Sequence, residues 1–286
     1  MSEKLEIMKQ YKLTPEEHDA IYETICKLVY RKKVAVEKPT AIIVGGVPGS
    51  GKGSLIGASK KEFKDKNITI ITTDEYKTFH PKVKEIAKNY PTYFVEIVEQ
   101  DSAKWTHHIL QKAIHDKYNF IFEATLKNNR ILDRIRELKT NGFKVIVKVL
   151  AVPYIEGLLS IHERYIGAVK IRKWGRLITI PHYNTAYVGL LETVEQIQNS
   201  KLCDEIEVYI RDTLKQPKLV YSTKDTKQCD ITAKQVIINW REKVEVKEVE
   251  QRLKKLEENF EAYVTTKQEK EQLEELKKII KKEWIL

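Results

Sequence analysis

The sequence predicts an α/β chain of the P-loop NTPase or kinase type. A central, mostly parallel sheet carries helices on both faces, with an N-terminal helix and a C-terminal helical extension. Three observations predict it. Short β-branched runs alternate with stretches of helical period, as a parallel sheet with crossover helices requires. A glycine-rich loop follows the first of these runs directly, at Gly45–Ser54. The last forty or so residues instead step their apolar side chains by three and four.

In chain order, Thr14-Pro15-Glu16-Glu17 opens a helix that the pattern carries to about Tyr30. Thr14 can cap, Pro15 suits the first turn and Glu17 closes a capping box. Strands are expected at Thr40–Val44, Ile68–Thr72, Asn119–Phe122 and Lys144–Val152, with shorter ones at Ile206–Ile210 and Leu219–Tyr221. Helices are expected from Gly51, twice between Pro81 and His115, at Ile131–Thr140, from Tyr154 to Ile166, and after a second capping box at Thr232–Gln235. In the tail Val246, Val249, Leu253, Leu256, Phe260 and Tyr263 form a seam, Thr266–Glu269 reads as a fresh capping box, and Leu273, Leu276 and Ile280 resume the stepping. Fewer than four clean heptads favours a helical hairpin over a coiled coil with another chain. The chain therefore divides into an N-terminal helical segment (1–33), a P-loop kinase domain (34–244) and the extension (245–286).

Composition narrows the class. The chain has 286 residues, of which 42% are hydrophobic and 32% charged, the composition of an ordinary globular protein. No run approaches the roughly 18 apolar residues of a membrane span, and Met1-Ser2-Glu3-Lys4 opens no signal-type apolar stretch. Cys26, Cys203 and Cys229 are odd in number and far apart, which reads as reduced thiols in a cytoplasmic setting. The 51 Lys+Arg exceed the 41 Asp+Glu by ten, and residues 241–286 are balanced at 12 of each sign. The whole excess thus lies ahead of the tail, and a basic body suits a polyanion. Nucleic acid is not the expected one, because the aromatics are not interleaved with Lys and Arg and no recognition motif is present.

Six of the eleven glycines fall between Gly45 and Gly57. Gly46-Val47-Pro48-Gly49-Ser50-Gly51-Lys52 has Walker A spacing, in which backbone N–H groups turn inward on an anion at a helix N-terminus and Lys52 reaches the outer phosphates. These residues, with Gly53 and Ser54, are the expected ATP site. Gly53 stands where a Mg²⁺-binding hydroxyl usually follows the lysine, as in adenylate-kinase-like loops, so Mg²⁺ is expected through water or on Ser54. A second cluster, Asp74-Glu75-Tyr76-Lys77-Thr78-Phe79-His80-Pro81, follows the second strand. At the carboxyl edge of a parallel sheet, Asp74 could take the proton of an attacking hydroxyl.

The loop, the D-x-[FY]-[KR]-x-x-H-P box at Asp74–Pro81 and Phe120-Ile121-Phe122-Glu123-Ala124-Thr125 together resemble the zeta toxins. Ile161-His162-Glu163-Arg164-Tyr165 is similar to their E-R-Y segment, and Gly175-Arg176 with His182 to a later Arg–His stretch. The resemblance spans roughly residues 20–240. It implies a P-loop kinase that uses ATP and Mg²⁺ to phosphorylate the amino sugar of UDP-N-acetylglucosamine, poisoning cell-wall synthesis, and that a small helical antitoxin restrains. It implies further that Asp74 is the base, that Lys52, Arg164 and Arg176 neutralise the transferring group, and that Glu123, Thr125 and Lys127 hold the sugar nucleotide. Arg176 would sit in a basic lid, Lys170–Arg176. The family's acid sixteen residues before Glu123 is His107 here, a departure that bears on the acceptor. The alternatives are a kinase of another nucleotide or small molecule, and a nucleic-acid- or partner-binding module without transferase activity.

Overall fold

The computed structural model describes residues 3–91, 93–173, 175–225, 227, 230–264 and 267–283. Its centre is strand β1 (Thr40–Gly45), whose residues from Ala41 onward are all buried because neighbours pair on both edges and helices cover both faces. Strand β3 (Phe120–Ala124) lies parallel on one side and β4 (Lys144–Leu150) parallel on the other. Strand β2 (Thr69–Ile71) extends the sheet beyond β3, β5 (Glu205–Arg211) beyond β4, and β6 (Pro217–Ser222) closes that edge antiparallel to β5. The order is β2-β3-β1-β4-β5-β6.

Successive residues feed opposite cores, as the period of a strand demands. Ala41, Ile43, Val145 and Val147 join the large cluster on one face, whereas Ile42, Val44, Ile121 and Ile146 join a smaller one under helix α3 (Lys52–Lys60). On that second face Lys148 is the exception. Its ammonium is 2.5 Å from Glu62 and 3.1 Å from Glu207, which makes a buried positive charge tolerable.

Every expected strand is present. Strand β3 runs two residues further than expected, to Ala124, so Glu123 is a strand residue level with Val44 of β1. Strand β2 is shorter, as suits an edge. Ahead of the sheet lie α1 (Glu3–Gln10) and α2 (Pro15–Val29), the latter with the Thr14–Glu17 capping box formed. After β2 come α4 (Thr73–Tyr76), a 3₁₀ turn (Lys77–Phe79), α5 (Val83–Asn89) and the long α6 (Phe94–His115). Helix α7 (Arg130–Thr140) precedes β4.

Helix α8 (Tyr154–Arg172) continues six residues past the expected end at Ile166. Nothing between Gly167 and Arg172 breaks a helix, and the turn comes only at Lys173 in the left-handed region (φ 64°). The stretch Lys170–Arg172 is therefore helix and not a free lid. Helix α9 (Ile180–Ser200) was not expected from the sequence, and α10 (Ala233–Arg241) was.

The tail forms α11 (Val246–Tyr263) and α12 (Lys267–Glu283), joined by a 3.0 Å ion pair between Lys277 and Glu257. Of the seam, Val249, Leu256, Phe260, Leu273, Leu276 and Ile280 are buried, while Val246 and Tyr263 at its ends are exposed. The capping box expected at Thr266 and the thiol of Cys229 lie outside the described residues; Cys26 and Cys203 are free thiols. No described helix is long and apolar enough to cross a membrane.

Candidate active site

The register of β1 against β3 sets the site. Val44 pairs with Glu123 and Gly45 with Ala124, so the glycine-rich loop leaves β1 at the level where β3 ends. Gly49 (φ 77°) and Gly51 (φ 91°) take left-handed backbone that a side chain would strain. At Gly49 a Cβ would also stand 2.7 Å from the Gly157 carbonyl and 2.9 Å from Ile161, so the loop lies directly on α8. No side chain caps α3 at Gly51, which leaves the N–H groups of Lys52 and Gly53 available to an anion, while that of Ser54 donates to the Gly51 carbonyl at 3.0 Å. Ser50 Oγ is buried without a hydrogen-bond partner in the same loop. Lys52 is buried; its ammonium donates to the carbonyls of Gly46 (2.9 Å) and Val47 (3.1 Å) and lies 3.5 Å from Glu123.

A cavity of about 260 Å³ opens beside the loop, reached by Pro48 and Lys52 from α3's side, Asp74 and Lys77 from the segment after β2, and Glu123 and Thr125 from the end of β3. Lys127, Arg164, Arg176 and His182 are also part of the wall. Asp74 forms an ion pair with Arg176 and another at 3.2 Å with Lys77, and its carboxylate is 41% exposed, towards the cavity. Thr72 donates to Glu123 at 2.8 Å, which fixes that carboxylate between the threonine and Lys52.

The charges tune one another. Burial works to raise the Asp74 carboxyl, but Arg176 and Lys77 outweigh it and hold the group well below the usual carboxylate range. Burial lowers Lys52, against the pull of Glu123 and Asp74. Burial and the neighbouring Arg176 lower Arg164, and burial with Lys127 lowers His182. Burial together with Glu123 and Asp74 raises Glu75. A second cavity of about 420 Å³ shares Asp74, Lys77, Arg164 and Arg176, so these four stand between two openings.

Two expected residues lie elsewhere. His107, on α6, is not part of the cavity wall; its ring is 3.5 Å from Arg134 of α7. The acid that α6 does bring to the cavity is Glu99, two turns earlier. Helical period explains the difference, since eight residues is 2.2 turns and rotates His107 off the face that Glu99 occupies. Ser54 is exposed and is not part of the wall either, and Gly53 faces open space. Among the described residues, no group of three His, Cys, Asp or Glu is placed to hold a metal. Sequence reasoning also missed Arg211, whose Cδ would lie 3.4 Å from a Cβ on Gly51 and which bonds Glu156 at 2.9 Å. A cation at the carboxyl end of a sheet strand is the signal that could have found it.

Residues 27–226 match the family model described as Zeta toxin. The chain belongs to the zeta toxin family, a family of kinase-like toxins. It is 30% identical to toxin zeta of Streptococcus pyogenes over 237 residues, 82% of this chain and 80% of that protein. It is 26% identical to toxin PezT of Streptococcus pneumoniae serotype 4 over 217 residues, 73% of this chain and 83% of that one. In fold it is similar to a structure from the PezAT chromosomal toxin–antitoxin system of Streptococcus pneumoniae, with a TM-score of 0.72 at 22% identity, covering 89% of this chain and 98% of that one. A more distant likeness, TM-score 0.57 at 12% identity, is to AvrRxo1-ORF1:-ORF2 with ATP, covering 87% and 86%. In this chain Pro48 and Lys52 of the glycine loop, Asp74, Arg164 of α8 and Arg176 line one cavity.

Proposed function

We propose that this zeta toxin is an ATP-dependent kinase whose acceptor is a hydroxyl of the amino sugar of UDP-N-acetylglucosamine, and that a small antitoxin protein restrains it. The observation that carries the reading is the convergence of Lys52, Asp74, Arg164 and Arg176 on one cavity at the end of the glycine-rich loop. The loop amides and Lys52 hold the β- and γ-phosphates; Lys52 exchanges its two carbonyl partners for phosphate oxygens, a stronger, charge-assisted pairing. Mg²⁺, when bound, would neutralise phosphate charge; with Ser54 outside the cavity, Glu123 and Asp74, among the carboxylates that line it, would be the residues to hold the ion through water.

Asp74 accepts the proton of the sugar hydroxyl as the O–P bond forms and the bond from the γ-phosphorus to the bridging oxygen breaks, leaving ADP. Its depressed pKa suits a loose transition state, in which the proton leaves late. Arg176 is the coupling element. When it turns from Asp74 to the transferring phosphoryl group, it stabilises that charge and returns basicity to Asp74 in the same motion. Glu123, Thr125 and Lys127 hold the sugar nucleotide from β3 and the segment after it.

The test is purified protein with ATP, Mg²⁺ and UDP-N-acetylglucosamine, followed by mass spectrometry for one added phosphate. Lys52→Ala and Asp74→Ala are each expected to abolish transfer, and Asp74→Ala to do so while ATP still binds. Transfer at near-parental rate by Asp74→Ala overturns the mechanism. A second reading, a kinase of another small-molecule alcohol, is favoured by Glu99 standing in the wall instead of an acid at position 107. The same mass shift on a different acceptor, with none on UDP-N-acetylglucosamine, selects it.

A further inference from the structure

Helix α8 does three things on three faces. Gly157, Ile161 and Arg164 are spaced by four and three and share one stripe. The first two lie under Gly49 of the loop, and the third reaches the cavity. On one flank of that stripe Glu163 and Ser160 meet Arg252 of α11. The guanidinium forks onto Glu163, Nε to Oε1 at 2.8 Å and Nη2 to Oε2 at 2.7 Å, and Nη2 also donates to Ser160 Oγ at 3.0 Å. Ser160 in turn accepts from Arg211, which flanks Gly51. On the other flank the Tyr165 hydroxyl donates to Glu269 of α12, and Gln272 donates to His162 Nε2 at 3.3 Å. The amide of Gln272 also donates, at 2.8 Å, to the carbonyl of Ile178, two residues beyond Arg176 and itself part of the cavity wall.

We infer that the C-terminal hairpin is a positioning element of the active site, with Arg252 fixing the helix that carries Arg164 and Gln272 fixing the segment that carries Arg176. The inference rests on the kinase reading for its kinetic consequence, though not for the brace itself. The contacts are the kind that set position. The fork allows one orientation of helix against helix, and the Arg252 side chain is only 15% exposed, so its pairing with Glu163 is little weakened by water. The Gln272 bond satisfies a main-chain carbonyl that no strand or helix ladder serves, which ties the backbone between Arg176 and α9 to the hairpin. Gly175 has no room for a Cβ because Tyr165 lies 2.9 Å away, so helix and segment are already in contact and the hairpin clasps both.

The experiment compares the full chain with its Arg252→Gln, Arg252→Lys and Gln272→Leu variants, by steady-state kinetics with ATP and UDP-N-acetylglucosamine and by amide hydrogen exchange. A displacement of an ångström at a transferring group can cost about a hundredfold in rate. Arg252→Gln and Gln272→Leu are expected to lower kcat by about ten- to a hundredfold and leave KM for ATP within about threefold, because the loop amides are untouched. Arg252→Lys, which keeps the charge without the fork, is expected to fall between. Exchange should quicken over residues 160–178 and not over β1. Parental kcat in both Arg252→Gln and Gln272→Leu, or exchange quickened evenly along the chain, overturns the inference. Should the parent transfer phosphate to no acceptor, the kinase reading fails separately, and the exchange pattern alone then decides whether the hairpin holds residues 160–178.

Discussion

At Asp74 one carboxylate faces Arg176 and Lys77 at contact distance, with Arg164 in the same cavity wall. Its folded pKa lies below its unfolded value, so the stability this causes is complete above about pH 4 and is lost only as the pH falls further into acid. Between pH 8 and 5 the group stays ionised, and no loss of transfer rate in that window is expected to trace to it. Arg176→Gln removes the stronger of its partners. The Asp74 carboxyl is then expected to titrate higher, measured by carboxyl NMR against the parent, and an unshifted titration would show that Lys77 alone suffices. His162 behaves differently. Burial lowers its pKa, Nδ1 donates to the Leu158 carbonyl at 2.7 Å, and Nε2 accepts from Gln272. A second proton would put an N–H against an N–H₂. Stability from this group is present above about pH 6.5 and falls below it, so the melting temperature should drop between pH 7.5 and 5.5, and the drop should flatten in His162→Phe.

Among the elements, those whose signal is local were legible in the sequence. The glycine loop and both capping boxes at Thr14 and Thr232 declare themselves within a few residues, and the structure has all three. Asp74 was placed correctly beside the loop because strand ends in a parallel sheet share one edge. Helix α9 was not legible: its first turns mix Tyr, Asn, Thr and Val, residues of low helix propensity, and burial of Tyr183, Leu190 and Val194 decides it. Glu99 and Arg211 were missed for a related reason. Both meet residues far along the chain, which no spacing encodes; for Arg211 the one local signal is its place as a cation at the carboxyl end of a strand. Helix α9 also supports the site. At Gly189 a Cβ would stand 2.2 Å from the Lys127 carbonyl, so this glycine lets the helix close on the segment that follows β3. Gly189→Ala is expected to cost about 1–3 kcal/mol in chemical denaturation and to weaken acceptor binding more than ATP binding; equal effects on the two ligands would argue that Lys127 does not touch the acceptor.

Across the whole molecule, charge and architecture divide the labour. The excess of ten positive charges lies in the part that holds the sheet and cavity, and the tail is balanced. The tail's seam was legible in its period, but what it packs on was not, because Arg252, Glu269 and Gln272 look like any solvated helix face until α8 is seen beside them. That placement has a practical corollary. The family match ends at residue 226, and Arg252 and Gln272 fall beyond it. On the proposed kinase reading, a chain trimmed to end at Val244 keeps Lys52, Asp74, Arg164 and Arg176 but loses Arg252 and Gln272, so weak transfer by it is expected to report a missing buttress and not missing chemistry.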